Sequence, residues 1–291
     1  MNRPTETYRS LFREKGVIFQ HVGNFLIVKG RLKAGKYLIA GDISSQFTTG
    51  LLFVLPLISQ SSIIHFTTPL LSTPYVEITQ DVLRKCGILI RWIDSKTILI
   101  PGSQQYNVGE ITLEADWSQA AFWYAANFIG NEIKIEGLNP KSIQGDKTVE
   151  QWYNALKGKE TIEVNLSNNP DLLPPLAIMA AHRKSITKFT RVNRLRYKES
   201  DRLKSIKEML ASFGVSVRIG CDFLEVFGNI TPSNNPIVVN SFGDHRIVMA
   251  AAVLSSIWKA PVTILGADAV NKSYPKFFQD FSRLGGDVYV L

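Results

Sequence analysis

Amphipathic stretches along this chain end repeatedly in glycine and run into short, apolar-alternating segments. Five such joints occur: residues 8–16 into 17–19, 78–87 into 88–90, 149–158 into 162–164, 203–214 into 215–217, and 274–285 into 288–290. Apolar positions at helical spacing followed by strict alternation predict a helix running into a strand. A glycine at the joint suits the left-handed C-cap, where a Cβ would clash. The closing glycines, Gly16, Gly87, Gly158, Gly214 and Gly285, are 71, 71, 56 and 71 residues apart.

A second series of helix starts runs in phase with the first. Asp42-Ile43-Ser44, Asp116-Trp117-Ser118, Asp171 and Asp244 each precede an Ala- or Leu-rich stretch, at steps of 74, 55 and 73 residues. Asp and Ser are good N-caps, each worth about 1 kcal/mol. Asp171 follows Asn169-Pro170, and Pro174-Pro175 should break its helix early. Each repeat therefore carries two helices plus short strands, and one repeat alone cannot bury its apolar faces. The expectation is an α/β fold of two-helix plus small-sheet units in two lobes, not one continuous parallel sheet. A polar stretch over residues 104–114 marks the boundary, with residues 1–114 in the first lobe and 115–291 in the second.

Composition narrows the chemistry only a little. The net charge of +8 suits anionic ligands, yet the cations are scattered, which argues against a polyanion-binding tail. Cys86 and Cys221 are far apart, and the four histidines are equally dispersed. A disulfide scaffold and a metal site are thus unsupported, and a reducing cytoplasm fits. The longest apolar runs, residues 51–58 and 247–254, are too short to span a bilayer.

The densest chemistry is Lys198-Glu199-Ser200-Asp201-Arg202, at the head of a helix and preceded by Arg194 and Arg196. Lys198 and Arg202, four apart, should share a helix face, and a bound anion would relieve their repulsion. The plainer reading is a charge-laced helix start with Asp201 pairing locally. Gly41-Asp42-Ile43-Ser44-Ser45-Gln46 puts hydroxyls and an amide at another helix start, suited to phosphate or polyol oxygens or simply to capping. Gly243-Asp244-His245-Arg246 opens a third helix, where Asp244 can cap and Arg246 can offer a bidentate fork. Lys272 lies in a loop before the last helix.

Taken in order, Ser44-Ser45-Gln46, Ser72-Thr73-Pro74-Tyr75, Asp116-Trp117-Ser118, Asp171, Lys198-Glu199-Ser200-Asp201-Arg202, Asp244-His245-Arg246 and Lys272 resemble the 5-enolpyruvylshikimate-3-phosphate (EPSP) synthase family, over essentially the whole chain. The resemblance implies two lobes of the enolpyruvyl transferase type. It also implies transfer of the enolpyruvyl group of phosphoenolpyruvate to the 5-hydroxyl of shikimate 3-phosphate, without metal or organic cofactor. By the same resemblance Ser44, Ser45, Gln46, Ser72, Asp171 and Lys198 would hold shikimate 3-phosphate, with Tyr75 nearby. Gln46, Arg202, Arg246 and Lys272 would hold phosphoenolpyruvate, and Asp171 and Glu199 would move protons. Glu199 between Lys198 and Arg202 should have a depressed pKa, which suits a proton acceptor.

The family's early Lys-Ser pair, the Arg after it and its glycine-rich loop find no match in residues 1–41. The expectation is an incomplete first lobe, weak binding of shikimate 3-phosphate, and no turnover unless an N-terminal third is supplied. Two other readings compete. The sister enolpyruvyl transferase acting on UDP-N-acetylglucosamine shares the repeated design but not the serine-serine-glutamine and Lys-Glu-Ser-Asp-Arg signatures. A basic nucleic-acid-binding module fits the charge but lacks the aromatic-studded basic face it would need.

Overall fold

The computed structural model describes residues 6–290, which divide into two compact units meeting in sequence between Leu113 and Glu114. The N-terminal unit carries α1 (Glu6–Glu14), β1 (Ile18–Val22), β2 (Phe25–Lys29), β3 (Lys36–Ile39) and α2 (Ser45–Val54). It continues with β4 (Ser62–Phe66), α3 (Thr73–Lys85), β5 (Arg91–Asp94) and β6 (Thr97–Ile100). The C-terminal unit carries α4 (Trp117–Phe128), α5 (Val149–Ala155), β7 (Ile162–Asn165), α6 (Leu173–His182) and β8 (Ile186–Thr190). After these come α7 (Arg202–Ser212), β9 (Ser216–Ile219), β10 (Phe223–Phe227), β11 (Ile237–Asn240), α8 (His245–Ser255), β12 (Val262–Leu265) and α9 (Phe277–Arg283).

The repeat seen in sequence is a repeated sheet. One four-stranded sheet runs β3-β4-β6-β5 and the other β7-β8-β10-β9. In both, the first two strands are parallel across a helix, and the last two form an antiparallel hairpin. β11 and β12, parallel around α8, repeat the first half of this motif, while α1 with the β1–β2 hairpin repeats the second half. Four small sheets among the described residues replace the continuous sheet of a Rossmann-type fold.

Residue pattern decides which helices go inside. α6 and α8 are apolar nearly all round, and with α4 they pack together at the centre of the C-terminal unit. Each fully buried Leu, Ile, Val or Met there contributes about 1.5–3 kcal/mol. α7 instead keeps Lys204, Lys207 and Glu208 in solvent and buries Leu203, Ile206, Met209 and Leu210. The N-terminal unit has a separate core, built on Tyr37, Ile39, Leu51, Leu52, Ile64, Phe66 and Leu83.

Several expectations need correction. Residues 88–90 are not a strand: the Gln104 side chain accepts from Leu89 N–H (2.7 Å) and donates to Leu89 C=O (3.0 Å), supplying the pairing a neighbouring strand would give. Residues 286–290 are likewise outside any strand, and Tyr289 and Val290 stand exposed. Gly16, Gly87, Gly214 and Gly285 take the left-handed cap, with φ of 83°, 78°, 75° and 99°, but Gly158 is not among the residues with positive φ. Pro174 and Pro175 do not break α6. They occupy its first turn, where no intrahelical N–H is needed. Asp171 does not cap α6 either, lying instead in a single 3-10 turn, Pro170–Leu172.

Candidate active site

In the N-terminal unit the sequence-predicted residues lie on two segments that run side by side. A Cβ on Gly41 would fall 2.8 Å from Leu70 Cα, so only glycine lets the segments approach this closely. Gly41 N–H donates to Thr68 Oγ1 (2.9 Å), Leu71 N–H donates to Gly41 C=O (3.0 Å), and Thr68 Oγ1 donates to Asp42 (2.7 Å). Asp42 is thereby used as a loop staple, and Ser44 caps α2, accepting from Gln46 N–H at 3.3 Å. Ser45 and Gln46 follow in the first turn. Ser72 precedes α3 with left-handed backbone (φ 58°, ψ 35°), is buried, and makes no side-chain cap. A non-glycine residue in that conformation costs about 1 kcal/mol or more, a strain that collects at functional sites. The group formed by Ser44, Ser45, Gln46 and Ser72 is neutral.

The C-terminal unit holds the opposite kind of site. Arg202, the first residue of α7, is almost wholly buried and touches three carboxylates. Its Nη1 lies 2.9 Å from Asp171 Oδ1, its Nη2 2.7 Å from Glu199 Oε2, and its Nε 2.9 Å from Asp244 Oδ2. Asp171 also pairs with Lys198 Nζ (3.2 Å) and Arg246 Nη2 (3.2 Å), and Glu199 Oε1 pairs with Lys272 Nζ (3.2 Å). The three-residue bend before α7 makes this possible. Lys198 is extended after the 3-10 turn Asn193–Tyr197 and is not on the α7 face, so Lys198 and Arg202 meet through Asp171 and not through a shared helix stripe. Arg202, Arg246 and Lys272, far apart in sequence, thus converge on two acids.

Charge sets the protonation states. Burial alone would push the Asp171 carboxyl up, but Arg246, Lys198 and Arg202 hold it well below the usual carboxylate range. Burial likewise opposes Glu199, yet Arg202 and Lys272 bring it down to about 2. The Lys198 ammonium is pulled down by burial and by Arg202 and Arg246, against the support of Asp171. Burial would also lower Arg202, but Asp244, Asp171 and Glu199 together raise it. His245, buried at the start of α8, is lowered to about 4 by burial and by Arg246, so it is neutral near pH 7. At rest, then, both candidate acids are ionised acceptors. No group of His, Cys, Asp and Glu set to hold a metal occurs among the described residues.

The sequence itself now decides the family. A family model for EPSP synthase (3-phosphoshikimate 1-carboxyvinyltransferase) matches residues 1–281. The chain belongs to the EPSP synthase family. It is 38% identical to the 3-phosphoshikimate 1-carboxyvinyltransferase of Clostridium kluyveri, over 99% of this chain and 71% of that protein. It is also 38% identical to that of Clostridium acetobutylicum, over 99% and 70%. Among solved structures, EPSP synthase from Acinetobacter baumannii shares its fold with a TM-score of 0.75 at 22% identity, over 98% of this chain and 71% of that one. The enolpyruvyl transferase NikO from Streptomyces tendae does so at 0.72 and 16%, over 98% and 72%.

Within this EPSP synthase-family chain, two residues of the basic run fall away from the cluster. Arg194 Nη2 donates to the carbonyls of Leu166 and Ser167, and Arg196 reaches Asn193, Asp201 and Gly220. Asp201 is the ordinary cap of α7, accepting from Lys204 N–H at 3.2 Å. Reading by residue type undervalued Asp244, treated as a cap only. It does cap α8, accepting from Arg246 N–H at 3.0 Å, but it also carries a charge facing Arg202. Ser200, bonded to Asp244 at 3.1 Å, went unnoticed because a serine inside a charged run looks like a spacer.

Proposed function

We propose that the chain transfers the enolpyruvyl group of phosphoenolpyruvate to the 5-hydroxyl of shikimate 3-phosphate, releasing phosphate. The observation that carries this reading is the convergence of Lys198, Arg202, Arg246 and Lys272 on Asp171 and Glu199 in one unit. Phosphoenolpyruvate presents a carboxylate and a phosphate, and fixed cations are worth most where such charge sits out of water. Arg202, Arg246 and Lys272 take these groups, and Asp171 and Lys198 take oxygens of shikimate 3-phosphate. Ser44, Ser45, Gln46 and Ser72 are assigned to these substrates on the family resemblance alone.

The reaction adds a proton to the methylene carbon of phosphoenolpyruvate and the 5-oxygen to its neighbouring carbon, while the hydroxyl loses its proton. Phosphate then leaves as a methyl proton is removed. Two carboxylates are suited to move these protons. Both start as acceptors, because the cations hold their pKa values low. An arriving anion that draws Lys272 and Arg246 to itself removes that support, and the carboxyls become better proton holders. Asp171 and Glu199 therefore gain the capacity to donate only when substrate is present. Two small anions in the cytoplasm are the partners this reading requires, and no helix among the described residues is long and apolar enough to cross a membrane.

The test is to supply both substrates and follow phosphate release, with the enolpyruvyl ether identified by mass spectrometry. When the residues of the family's N-terminal third are supplied alongside the chain, product from shikimate 3-phosphate, with none from UDP-N-acetylglucosamine, is the expected outcome. The reverse preference would move the chain to the sister reaction.

A further inference from the structure

Asp244 is the acid of the charge cluster that is shut off from solvent: its side chain is 0% exposed, against 13% for Glu199 and 19% for Asp171. A ligand reaching the other two acids would not reach this one. Both its oxygens are engaged by the protein. Oδ2 accepts from Arg202 Nε (2.9 Å) and Ser200 Oγ (3.1 Å), and Oδ1 accepts from Arg202 Nη2 (3.2 Å) and from the backbone N–H of Arg246. Ser205 Oγ stands 2.9 Å behind Ser200 Oγ, extending the hydroxyl row from the first turn of α7. The backbone reaches Asp244 through two left-handed residues, Phe242 (φ 54°) and Gly243 (φ 67°), with Gly243 N–H held by Ser241 Oγ. The chain thus accepts strain to put a carboxylate at this point.

We infer that Asp244 is a positioning residue for the transfer reaction, gripping the Nε–Nη2 edge of Arg202 so that its Nη1 edge is presented to Asp171 and to the anion bound beside it. Ser200, backed by Ser205, fixes Asp244 in turn. The identity of that anion as phosphoenolpyruvate rests on the proposed function above. A guanidinium is a planar fork, and whichever carboxylate holds one edge decides where the other points. Without Asp244 the anchors of Arg202 are Asp171 and Glu199, the very acids assigned to proton transfer. The buried cation, already 2.9 Å from Asp171 and 2.7 Å from Glu199, would then have them as its counter-charges without a third to share it, withdrawing its charge from the substrate and deepening their hold on the ionised state. Asp244 supplies a counter-charge that takes no part in the chemistry. It also couples the two arginines, since the same carboxylate that grips Arg202 caps the helix carrying Arg246.

A merely structural ion pair predicts something different, and a double-mutant cycle separates the two. Asp244→Asn keeps the size, the capping oxygen and the contact with Ser200, but removes the charge and one acceptor. Binding of phosphoenolpyruvate, with shikimate 3-phosphate left out so that no turnover occurs, is measured calorimetrically for the unaltered protein, Asp244→Asn, Arg202→Lys and the double variant. The expected result is a loss of about tenfold or more from Asp244→Asn alone, and less than about twofold when Arg202 is already lysine. Ser200→Ala should repeat the pattern at about threefold. Equal losses in both backgrounds, or unchanged binding by Asp244→Asn, overturn the inference. Should Asp244→Asn fail to give a cooperative melt, Ser200→Ala in the two backgrounds decides by the same criterion. Unaltered protein that binds no phosphoenolpyruvate overturns the proposed function, and this inference with it.

Discussion

The neutral group in the N-terminal unit and the charge cluster in the C-terminal unit both suit oxyanions, but they achieve it by different physics. Ser44, Ser45, Gln46 and Ser72 offer hydroxyls, an amide and the start of α2, none of which carries a formal charge. Lys198, Arg202, Arg246 and Lys272 offer charge, and the protein must neutralise it with Asp171, Glu199 and Asp244. Dipoles at a helix start cost the fold little and are insensitive to pH. Desolvated charges cost much, and removing one partner strands the others. Altering the first group should therefore touch ligand contacts and at most about 1 kcal/mol of helix capping, while altering the second should change fold, pH response and chemistry together.

The largest expected effect tests that division at the chemistry. Glu199→Gln keeps the shape of the side chain but cannot take or give a proton, so kcat should fall about 10²- to 10⁴-fold. Shikimate 3-phosphate binding should hardly change, because the residues assigned to it are Ser44, Ser45, Gln46, Ser72, Asp171 and Lys198. Steady-state kinetics beside calorimetry gives both numbers. A loss in kcat as large from Ser44→Ala would erase the distinction between the two regions.

Next comes stability. Arg202→Met leaves Asp244 buried without its counter-charge, which should cost about 3–5 kcal/mol, read as a lowered urea midpoint. A third effect is acid sensitivity. Glu199 and Asp171 have folded pKa values below their unfolded ones, so the stability they contribute is fully present above the unfolded values and is lost as pH falls through the folded values. For Glu199 that window runs from about pH 4.3 down to about 2. In urea melts across this range, Glu199→Gln should flatten the decline. An unchanged slope would mean that Glu199 is not held ionised by Arg202 and Lys272.

The two regions were also unequally legible in sequence. Caps at Ser44, Asp116 and Asp244 follow from local rules, and those helices start where the rules put them. Local rules failed where a side chain replaced a strand, as Gln104 does for Leu89. They failed again where proline fell in a first turn that tolerates it. The repeat spacing foretold several small sheets, because each repeat needed its own partner strands. In the cluster, spacing suggested that Lys198 and Arg202 share a helix face, whereas they share a carboxylate 27 or more residues away in sequence. Such a bridge has no local signature. Asp244 was visible only as a cap, since nothing in the chain shows that Arg202 turns inward.

The smallest expected effect separates two serines within the neutral group. Ser44 earns its place in the fold by capping α2, so Ser44→Ala should lower stability by about 1 kcal/mol. Ser72 caps nothing with its side chain and sits in a left-handed conformation. Ser72→Gly removes the Cβ clash that makes this conformation costly, a gain of about 1 kcal/mol. It also frees the unfolded chain, a loss of about 0.5–1 kcal/mol. The net change in the thermal midpoint should be near zero or slightly upward, opposite in sign to that of Ser44→Ala. If the hydroxyl of Ser72 is kept for the 3-phosphate, the same glycine variant should bind shikimate 3-phosphate about 10- to 100-fold more weakly, by the loss of one hydrogen bond to a charged group worth about 1.5–3 kcal/mol. A glycine variant that melts lower, with unchanged binding, would instead make Ser72 a residue of the fold.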